Sequence, residues 1–437
     1  MTEAIRRTAR YHRPFQGGTE MTTAETSPVG FAYDPFTPEV MADPLPFYRH
    51  LREHQPIYFM PQYDMYALAR FDDVLEMLSV TDGTFVPTDG TLPDPTVLTR
   101  HNHGKVVPPS TAEPLPPYSM FGPPVHEILR QAHVGPLRAG AVRRLADFVR
   151  EQARERLDLL LPRGRFDLTQ HYGGIVAAAV QCHLFRLPLS EAKYILDMVN
   201  AGSLTDSDPQ TSRSAARYQP IVELIEGIVR TRRKQGADGD WPMVDGLLRL
   251  EFEGRRLNNT EIAQTLMVVM IGGSETVPKV VAHGLWELSK RPEQLSAVRA
   301  DLPANVPIAF KEMVRLCGPA QWFARTVQRP TSIGGQPMET GQRVIFLIPS
   351  AARDEREYGP DAEDFRWNRE IKRWVNFAWG NQFCTGYHLA LLEGSILVEE
   401  FLRRVPEFEV LEDQAVRLPS FFQWGWNELP VRVPVEG

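Results

Sequence analysis

The stretch from Phe377 to Ala390, Phe-Ala-Trp-Gly-Asn-Gln-Phe-Cys-Thr-Gly-Tyr-His-Leu-Ala, constrains this chain most. A single cysteine, Cys384, lies between Gly380 and Gly386, and apolar residues follow it at helical spacing. Glycines let a flat group approach the backbone closely because they carry no Cβ. The N–H groups at the start of the following helix favour the anionic form of the sulfur. The pattern predicts a tight loop that presents a thiolate and leads into a buried helix.

A thiolate in such a loop suits one cofactor in particular. As an axial ligand, it donates electron density to haem iron and promotes cleavage of the O–O bond. The alternative is a free, buried cysteine at a helix start, which is the usual place for a lone cysteine. Cys384 is therefore the candidate iron ligand, and other motifs decide between the two interpretations.

The stretch resembles the haem-binding signature of the cytochromes P-450, Phe-x-x-Gly-x-His/Arg-x-Cys-x-Gly-x-x-x-Ala. The matching residues are Phe377, Gly380, Cys384, Gly386 and Ala390. Gln382 stands where the family usually carries a cationic residue bonded to a haem propionate. Its amide can donate a hydrogen bond but cannot neutralise a carboxylate. The resemblance implies that this loop holds haem b, with Cys384 on the iron.

A second unusual stretch lies inside a long apolar run from Leu257 to about Leu288, which predicts a helix buried on all sides. Its centre reads Gly272-Gly273-Ser274-Glu275-Thr276. Two glycines cost about 1 kcal/mol each against alanine in a helix, and a buried acid costs more unless it is paired. Such a defect is tolerated where it serves a site.

This centre resembles the family motif Ala/Gly-Gly-x-Asp/Glu-Thr, in which the acid and the alcohol deliver protons for O–O scission. The resemblance implies that Glu275 and Thr276 are catalytic and that haem and O2 lie against Gly272 and Gly273. The alternative is a kinked helix with a hydrogen-bonded threonine and an exposed glutamate. Pro278 departs from most of the family and should remove one backbone hydrogen bond and bend the helix.

Helical phase places Val268 and Ile271 on roughly the same face as Thr276, so we expect them to line the pocket above the haem. Near the C-terminus, Ser420-Phe-Phe-Gln-Trp-Gly-Trp corresponds to a turn that the family places at the pocket edge. The resemblance makes substrate-contact candidates of Phe421, Phe422, Gln423 and Trp424. The alternative is a hydrophobic pair of C-terminal strands.

Cationic residues in two further motifs resemble those that bind haem propionates in this family. His126 and Arg130, in Gly122-Pro-Pro-Val-His-Glu-Ile-Leu-Arg, are four residues apart and share one helical face. Arg325 lies in a predicted strand, and alternation places Phe323 and Gln321 on the same side, towards the haem. By itself, the pair on the helix could equally be a solvated surface feature.

Glu312 and Arg315 form a Glu-x-x-Arg pair, which in isolation is usually a surface ion pair of small energetic value. It resembles the buried Glu-x-x-Arg pair of the family, which locks the structure behind the thiolate loop together with a basic residue from the preceding irregular stretch. Arg366 and Arg369 are both candidates for that third partner.

Composition excludes several other classes of protein. The 437 residues carry a formal charge of -7 without a Lys/Arg run, which argues against a nucleic-acid-binding protein. Three cysteines are too few and too scattered for a disulfide framework. A signal peptide and a run of about 18 apolar residues are not apparent, so we expect no membrane span and a cytoplasmic protein. Residues 1–30 lack apolar periodicity and predict a flexible tail.

The resemblance covers residues 31–437. It implies a mainly α fold with a small β region, one domain with haem between the long helix and the Cys384 loop. It implies O2-dependent oxidation of a small, apolar or aromatic molecule, with electrons from a separate ferredoxin and reductase or a flavodoxin. Lys372 and Arg373 could attract an acidic partner. Alternatives are an oxidative cyclase or coupling enzyme and a haem-thiolate sensor.

Overall fold

The computed structural model describes residues 31–93, 95–100, 102–110, 113–203, 215–417 and 420–435. Residues from Asp34 onward form one compact unit. The predicted tail, residues 1–30, lies outside the described residues. Residues 204–214 lie outside them as well.

Helices dominate the described residues, as the sequence predicts. The seventeen α-helical segments are α1 (Pro38–Ala42), α2 (Leu45–His54), α3 (Phe71–Ser79), α4 (Pro95–Leu98), α5 (Val125–His133), α6 (Ala139–Arg143), α7 (Ala146–Leu160), α8 (Gly174–Leu184), α9 (Ala192–Ser203), α10 (Gln219–Gln235), α11 (Pro242–Arg249), α12 (Asn259–Ser289), α13 (Pro292–Ala300), α14 (Leu302–Cys317), α15 (Ile348–Ala351), α16 (Glu355–Tyr358) and α17 (Tyr387–Arg404). A single π-helical turn, Leu168–Gly173, leads into α8.

The strands are short and form small sheets. In the described residues they are β1 (Ile57–Met60), β2 (Met65–Leu68), β3 (Phe85–Val86), β4 (Arg165–Asp167), β5 (Glu251–Phe252), β6 (Arg255–Arg256), β7 (Trp322–Val327), β8 (Thr331–Ile333), β9 (Gln336–Met338), β10 (Arg343–Leu347), β11 (Glu409–Val410), β12 (Val416–Arg417), β13 (Trp426–Glu428) and β14 (Pro430–Arg432). The largest sheet has the order β1-β2-β10-β7-β3, with β10 parallel to β2 and antiparallel to β7. The predicted fold class, mainly α with a small β region, is confirmed.

The long helix α12 begins with a capping box. The Asn258 side chain accepts from the N–H of Glu261, and the Glu261 carboxylate accepts from the N–H of Asn258, which satisfies donors that a helix start leaves unpaired. The helix continues through Pro278 to Ser289, so the proline does not end it. Among the described residues α12 alone is long and apolar enough to cross a membrane, and 61% of that apolar window is buried inside the protein.

Helix α14 packs against both α12 and α17, and glycines permit the close approach. A Cβ on Gly284 of α12 would lie 2.4 Å from Met313 of α14, and a Cβ on Gly394 of α17 would lie 1.8 Å from the Phe310 ring. Both distances are far below van der Waals contact. The three helices therefore form a tight core that fixes the start of α17, and with it the Cys384 loop.

The Pro-rich segment between Thr84 and Pro124 is anchored to the sheet rather than structureless. The Arg343 guanidinium of β10 donates to the Asp89 carboxylate at 2.9 Å and to the carbonyls of Leu98 and Arg100. The N–H of Ala324 in β7 donates to the Thr91 carbonyl at 2.9 Å. Since Arg343 is buried, a charged pair ties this segment to the central sheet.

Candidate active site around Cys384

The Cys384 loop folds back on itself before α17 begins. The N–H of Cys384 donates to the carbonyl of Phe377 at 2.8 Å, and a short 3-10 turn spans Gly380–Gln382. Gly380 has φ +65°, and a Cβ there would lie 2.6 Å from the carbonyl oxygen of Leu78. Left-handed backbone and this close approach both require glycine. The sequence pattern thus produces the predicted tight loop.

Protein surrounds the Cys384 thiol, which remains partly accessible from one side. Burial raises the pKa of the thiol, while the N–H groups of Gly386 and Tyr387 and the positive charge of Arg130 act to lower it. The net direction is upward, so the neutral thiol is favoured in the protein alone. A metal cation at the open side would deprotonate it, which is the behaviour expected of a metal ligand.

Aromatic rings support the loop from behind. The Phe377 ring packs edge-on against Trp374 and Tyr387, with centroids 5.1 and 5.0 Å apart. On the other side, the Tyr118 hydroxyl forms a hydrogen bond of 3.0 Å with Thr385, next to the cysteine. We did not predict Tyr118 from the sequence, because it lies in the Pro-rich segment without periodicity.

Two arginines and a histidine meet at one edge of the loop. His126 is buried, and the charges of Arg130 and Arg325 both contribute to its lowered pKa of about 4, although burial is the largest cause. Arg325 is buried and donates to the carbonyl of its neighbour Ala324; among the described residues no carboxylate pairs with it. A buried cation without a counter-charge is costly, so this edge suits an anionic group.

The remaining polar groups at this edge bind the loop itself. Arg130 donates to the carbonyls of Asn381 and Phe383, at 3.1 and 2.6 Å. Gln382 donates through Nε2 to the carbonyl of Phe121 at 3.0 Å. Gln382 and Arg325 also line the same pocket. Arg130 therefore connects α5 to the cysteine loop, and one amide hydrogen of Gln382 is used in the contact with the Phe121 carbonyl.

One face of α12 is open although the rest of the helix is packed. Gly272 is exposed in the middle of the helix, and a Cβ there would meet no atom within 4 Å. Val268 and Thr276, one turn to either side, are only half-buried, whereas Met270 and Ser274 are buried. A flat group with a carboxylate edge fits here: it would have a thiolate ligand, a glycine face and a cationic rim.

The family model described as cytochrome P450 matches residues 190–433, more than half of the chain. The chain belongs to the cytochrome P-450 family. Its members are oxidoreductases, monooxygenases that use haem iron and O2. The residues around Cys384 fit that cofactor in donor type, in charge and in the space beside Gly272.

One relative and one solved structure match nearly the whole chain, and a second relative matches about two thirds of it. The chain is 28% identical over 402 residues to cytochrome P-450 130 of Mycobacterium tuberculosis, which covers 90% of this chain and 95% of that protein. It is 27% identical over 280 residues to a steroid C26-monooxygenase of Mycolicibacterium smegmatis, covering 63% and 69%. The fold matches a mutant of cytochrome P-450 EryK in complex with erythromycin B, with a TM-score of 0.78 at 23% identity, covering 91% and 99%.

The predicted acid and alcohol of this P-450 occupy different environments. The Thr276 hydroxyl, on the open face, donates to the carbonyl of Gly272 at 2.9 Å. Glu275 is buried and lies 3.9 Å from the Lys279 ammonium, one turn along α12. The exposed glutamate of the alternative interpretation is therefore not observed. The helix continues through Pro278, and Thr276 lies on the same open face as Gly272.

The Glu-x-x-Arg pair is fully buried, and the structure identifies its third partner. Glu312 accepts from both Nε and Nη2 of Arg315, each at 2.7 Å. Arg369 donates from Nε to Glu312 at 3.1 Å, and its side chain is 1% exposed. Arg366 is 51% exposed and pairs with Asp361 instead. The network fixes the irregular stretch that precedes the cysteine loop.

Several substrate-contact candidates face elsewhere. Gln321 is buried, accepts from the Tyr48 hydroxyl at 2.8 Å and donates to the Ser420 carbonyl, so its amide holds β7 against the C-terminal turn. Phe421 packs on Trp322 and Phe36. Both side chains are therefore packed against other parts of the protein, and Gln321 lies just before β7, which begins at residue 322. Their role in the pocket stays a prediction.

Trp424 is also packed away from the open face. Its ring lies 5.2 Å from that of His283, and the guanidiniums of Arg353 and Arg417 stack on it at 5.5 and 4.7 Å. Gln423 is buried beside it and bridges to Ala320. The prediction of Gln423 and Trp424 as contact residues is therefore not supported, since a strand-like pairing occupies this turn.

Phe323 and Phe422 pack against each other where β7 meets the C-terminal turn. Phe323 is half-buried, and its ring contacts Phe422 edge-on with centroids 5.5 Å apart. Ile271 of α12 is half-buried as well. The sequence identified Phe323 and Ile271 by periodicity, whereas the orientation of Phe422 depends on how the C-terminal turn meets β7.

Proposed function

We propose that this protein is a monooxygenase that hydroxylates or otherwise oxidises a small, apolar or aromatic organic molecule. The observation that carries the proposal is the pairing of the Cys384 thiol with an open glycine face on α12 and an uncompensated cationic edge. Haem, when bound, supplies the iron chemistry that activates O2. Every further requirement falls on side chains of this chain.

Cys384 would ligate the iron, and His126, Arg130 and Arg325 would bind the propionates. His126 is neutral at physiological pH because its pKa is lowered to about 4, mainly by burial, so it would act as a hydrogen-bond donor rather than as a charge. Phe377 and Gly386 would shape the thiolate side, and Gly272 and Gly273 the opposite side. Haem retention should therefore depend more on the two arginines than on His126.

Thr276 and Glu275 would deliver protons to the open space above the haem. The Thr276 hydroxyl donates to the Gly272 carbonyl at 2.9 Å, and a change of its rotamer would redirect it towards the open face. The Lys279 ammonium, 3.9 Å from the Glu275 carboxylate, would orient that carboxylate. Proton delivery by a positioned side chain is worth about 10²–10⁴-fold in rate, so Thr276→Ala should divert electrons from product to peroxide.

Apolar side chains surround the remaining open space. Val268, Ile271, Phe323 and Phe422 offer aliphatic and aromatic surface on α12, β7 and the C-terminal turn. Such a lining favours an apolar ligand, since each buried CH2 contributes about 0.8 kcal/mol to binding. The relative from Mycolicibacterium smegmatis is a steroid monooxygenase, so steroids belong in the ligand panel beside small aromatic molecules.

We propose an acidic electron-transfer protein, a ferredoxin or a flavodoxin, as the electron donor. Lys372 and Arg373 are poor anchors, because Lys372 lies 3.9 Å from Glu370 and Arg373 pairs with Glu357 and Asp72. A groove of about 400 Å³ along the outer side of α17 is lined by Arg143, Lys311 and other residues. It lies on the helix that follows the Cys384 loop.

Charge reversal tests the docking face. Arg143→Glu with Lys311→Glu should slow reduction about tenfold at low salt, and less at high salt, because salt screens surface charges. The matched control, Lys372→Glu with Arg373→Glu, should have a smaller effect. A larger loss of reduction rate in the control variant would indicate that the partner docks at Lys372 and Arg373 instead. A cytoplasmic location is consistent with such partners and is part of this proposal.

The test of the function begins with the absorption spectrum of the reduced protein under carbon monoxide. A strongly red-shifted Soret band in the wild type that is lost in Cys384→Ala supports the haem-thiolate assignment; a band like that of a histidine-ligated globin contradicts it. Ligands that shift the ferric spin state are then turned over with isotopically labelled O2. Label in the product supports monooxygenation, whereas an unlabelled, dehydrogenated or coupled product supports the oxidative coupling alternative. No spin shift across the panel favours a sensor.

A further inference from the structure

Tyr118, in the short turn before α5, is a buried side chain whose hydroxyl reaches the cysteine loop. It is 5% exposed, and its hydroxyl forms a hydrogen bond of 3.0 Å with that of Thr385, the residue that follows Cys384. Phenylalanine would fill the same space without a polar atom that needs a partner. The hydroxyl therefore matters for the bond that it makes, and that bond ends one residue from the iron ligand.

Two histidines of α5 hold the Tyr118 ring in place. The ring stacks on His126, with centroids 5.4 Å apart, and meets His133 edge-on with centroids 4.8 Å apart. Both histidines are buried, so a rotation of the ring would disrupt the packing of the core. A rigid support thus presents the tyrosine hydroxyl to Thr385.

The hydroxyl pair adds side-chain dipoles to a site that the backbone already makes polar. The N–H groups of Gly386 and Tyr387 act on the Cys384 thiol whichever side chains are present. Burial raises the pKa of Tyr118, so its hydroxyl keeps its proton at neutral pH. Two neutral O–H groups, one on the residue next to Cys384, therefore lie beside the backbone donors.

We propose that Tyr118 is a positioning residue that acts through Thr385 and sets how strongly Cys384 donates electrons to haem iron. Hydrogen bonds and polarity around a metal ligand tune the potential of the metal. O–H dipoles near the sulfur stabilise its negative charge, so the sulfur donates less electron density and the iron is reduced at a higher potential. An apolar pair of side chains would lower that potential. The inference rests on the proposed ligation of iron by Cys384.

The closing experiment is a dye-mediated redox titration of the holoenzyme without substrate. Tyr118→Phe and Thr385→Val each remove one hydroxyl and keep the shape of the side chain. In each variant the ratio of ferrous to ferric protein at a fixed potential should fall about threefold, which is about 30 mV at 59 mV per tenfold for one electron. The double variant should fall no further, because both changes remove the same hydrogen bond. Thr385→Ser keeps the hydroxyl and should titrate as the wild type does.

Tyr172→Phe is the matched control, since Tyr172 is also buried and its hydroxyl donates to the Leu397 carbonyl of α17 at 2.8 Å. It should lower stability and leave the potential unchanged. The inference fails if Tyr118→Phe and Thr385→Val titrate as the wild type does, if their shifts add, or if Tyr172→Phe shifts the potential equally. If Tyr118→Phe does not retain haem, the titration of Thr385→Val decides alone.

The carbon monoxide spectrum of the wild type separates this inference from the proposed function. A red-shifted Soret band together with unchanged potentials in the hydroxyl variants would refute the role of Tyr118 and leave Cys384 as the ligand. A globin-like band would refute the ligation itself, and the role of Tyr118 with it.

Discussion

Arg369→Ala should destabilise this protein far more than Arg366→Ala, although the two residues are three apart. Arg369 donates to Glu312 at 3.1 Å, to the Tyr358 carbonyl at 2.8 Å and to the Asp361 side chain at 2.9 Å, with its guanidinium fully buried. Arg366 is half-exposed and has one ion pair, at 3.2 Å. Only the first change leaves buried groups without their donors.

The magnitude follows from what remains after each deletion. Glu312 keeps both contacts with Arg315 and the hydrogen bond from the N–H of Arg366. Its buried carboxylate therefore still has hydrogen-bond partners in Arg369→Ala. Breaking one partner of a buried pair costs about 3–5 kcal/mol, and the retained contacts put Arg369→Ala near the lower end, about 3 kcal/mol. An exposed pair is worth about 0–1 kcal/mol, which sets the value for Arg366→Ala.

Equilibrium unfolding in urea, followed by far-ultraviolet circular dichroism and by the Soret band, measures both variants. We expect the Soret signal of Arg369→Ala to be lost at lower urea than the helical signal, because the network fixes the stretch before Cys384. Arg369→Lys should recover little, since an ammonium cannot reproduce the guanidinium fork. Equal destabilisation by the two alanine variants would refute the reasoning.

Three further predictions concern other parts of the molecule. Burial lowers the pKa of His133 to about 4 from 6.5, so the free energy of unfolding should be greatest above pH 6.5 and fall by about 3 kcal/mol as the pH drops towards 4. The urea concentration at the unfolding midpoint should therefore change less with pH in His133→Gln than in the wild type. The same pH dependence in both proteins would exclude His133 as the cause. Gly380→Ala should cost about 1–2 kcal/mol for left-handed backbone and lower haem occupancy. The control Gly227→Ala, on the exposed face of α10 where a Cβ would meet no atom within 4 Å, should gain about 1 kcal/mol of helix stability and keep the haem spectrum; equal haem loss in both would contradict the geometry. Arg343→Met should speed limited proteolysis within residues 84–110, because Asp89 loses its buried partner, and wild-type cleavage rates would show that the ion pair does not hold the segment.

Much of the site was predictable because its motifs are local. The Cys384 loop, the helix with Gly272 and Thr276, and the pair of His126 and Arg130 each lie within a few residues of sequence. Helical periodicity then places Gly272 and Thr276 on one face of their helix, and His126 and Arg130 on one face of theirs. The mainly α class and the approximate extent of α12 followed from the same kind of local pattern.

The substrate wall was predictable only in part. Ile271 and Phe323 followed from helical and strand periods, but Gln321, Phe421 and Trp424 did not lie where a turn at the pocket edge would place them. Side chains that are distant in sequence hold two of these residues: the Tyr48 hydroxyl donates a hydrogen bond to Gln321, and the Trp424 ring packs on His283. Periodicity carries no information about such partners.

By itself, the sequence determined which kind of cofactor this protein can bind, because a thiolate loop, a glycine pair within a helix and pairs of basic residues are properties of short segments. Only the tertiary structure decided which of two arginines completes the Glu312 network, which aromatic rings reach the pocket, and that Tyr118 meets Thr385. Those choices join residues tens or hundreds of positions apart. They depend on how α5, the Cys384 loop and the C-terminal turn pack, and hence on the shapes of the surfaces that meet.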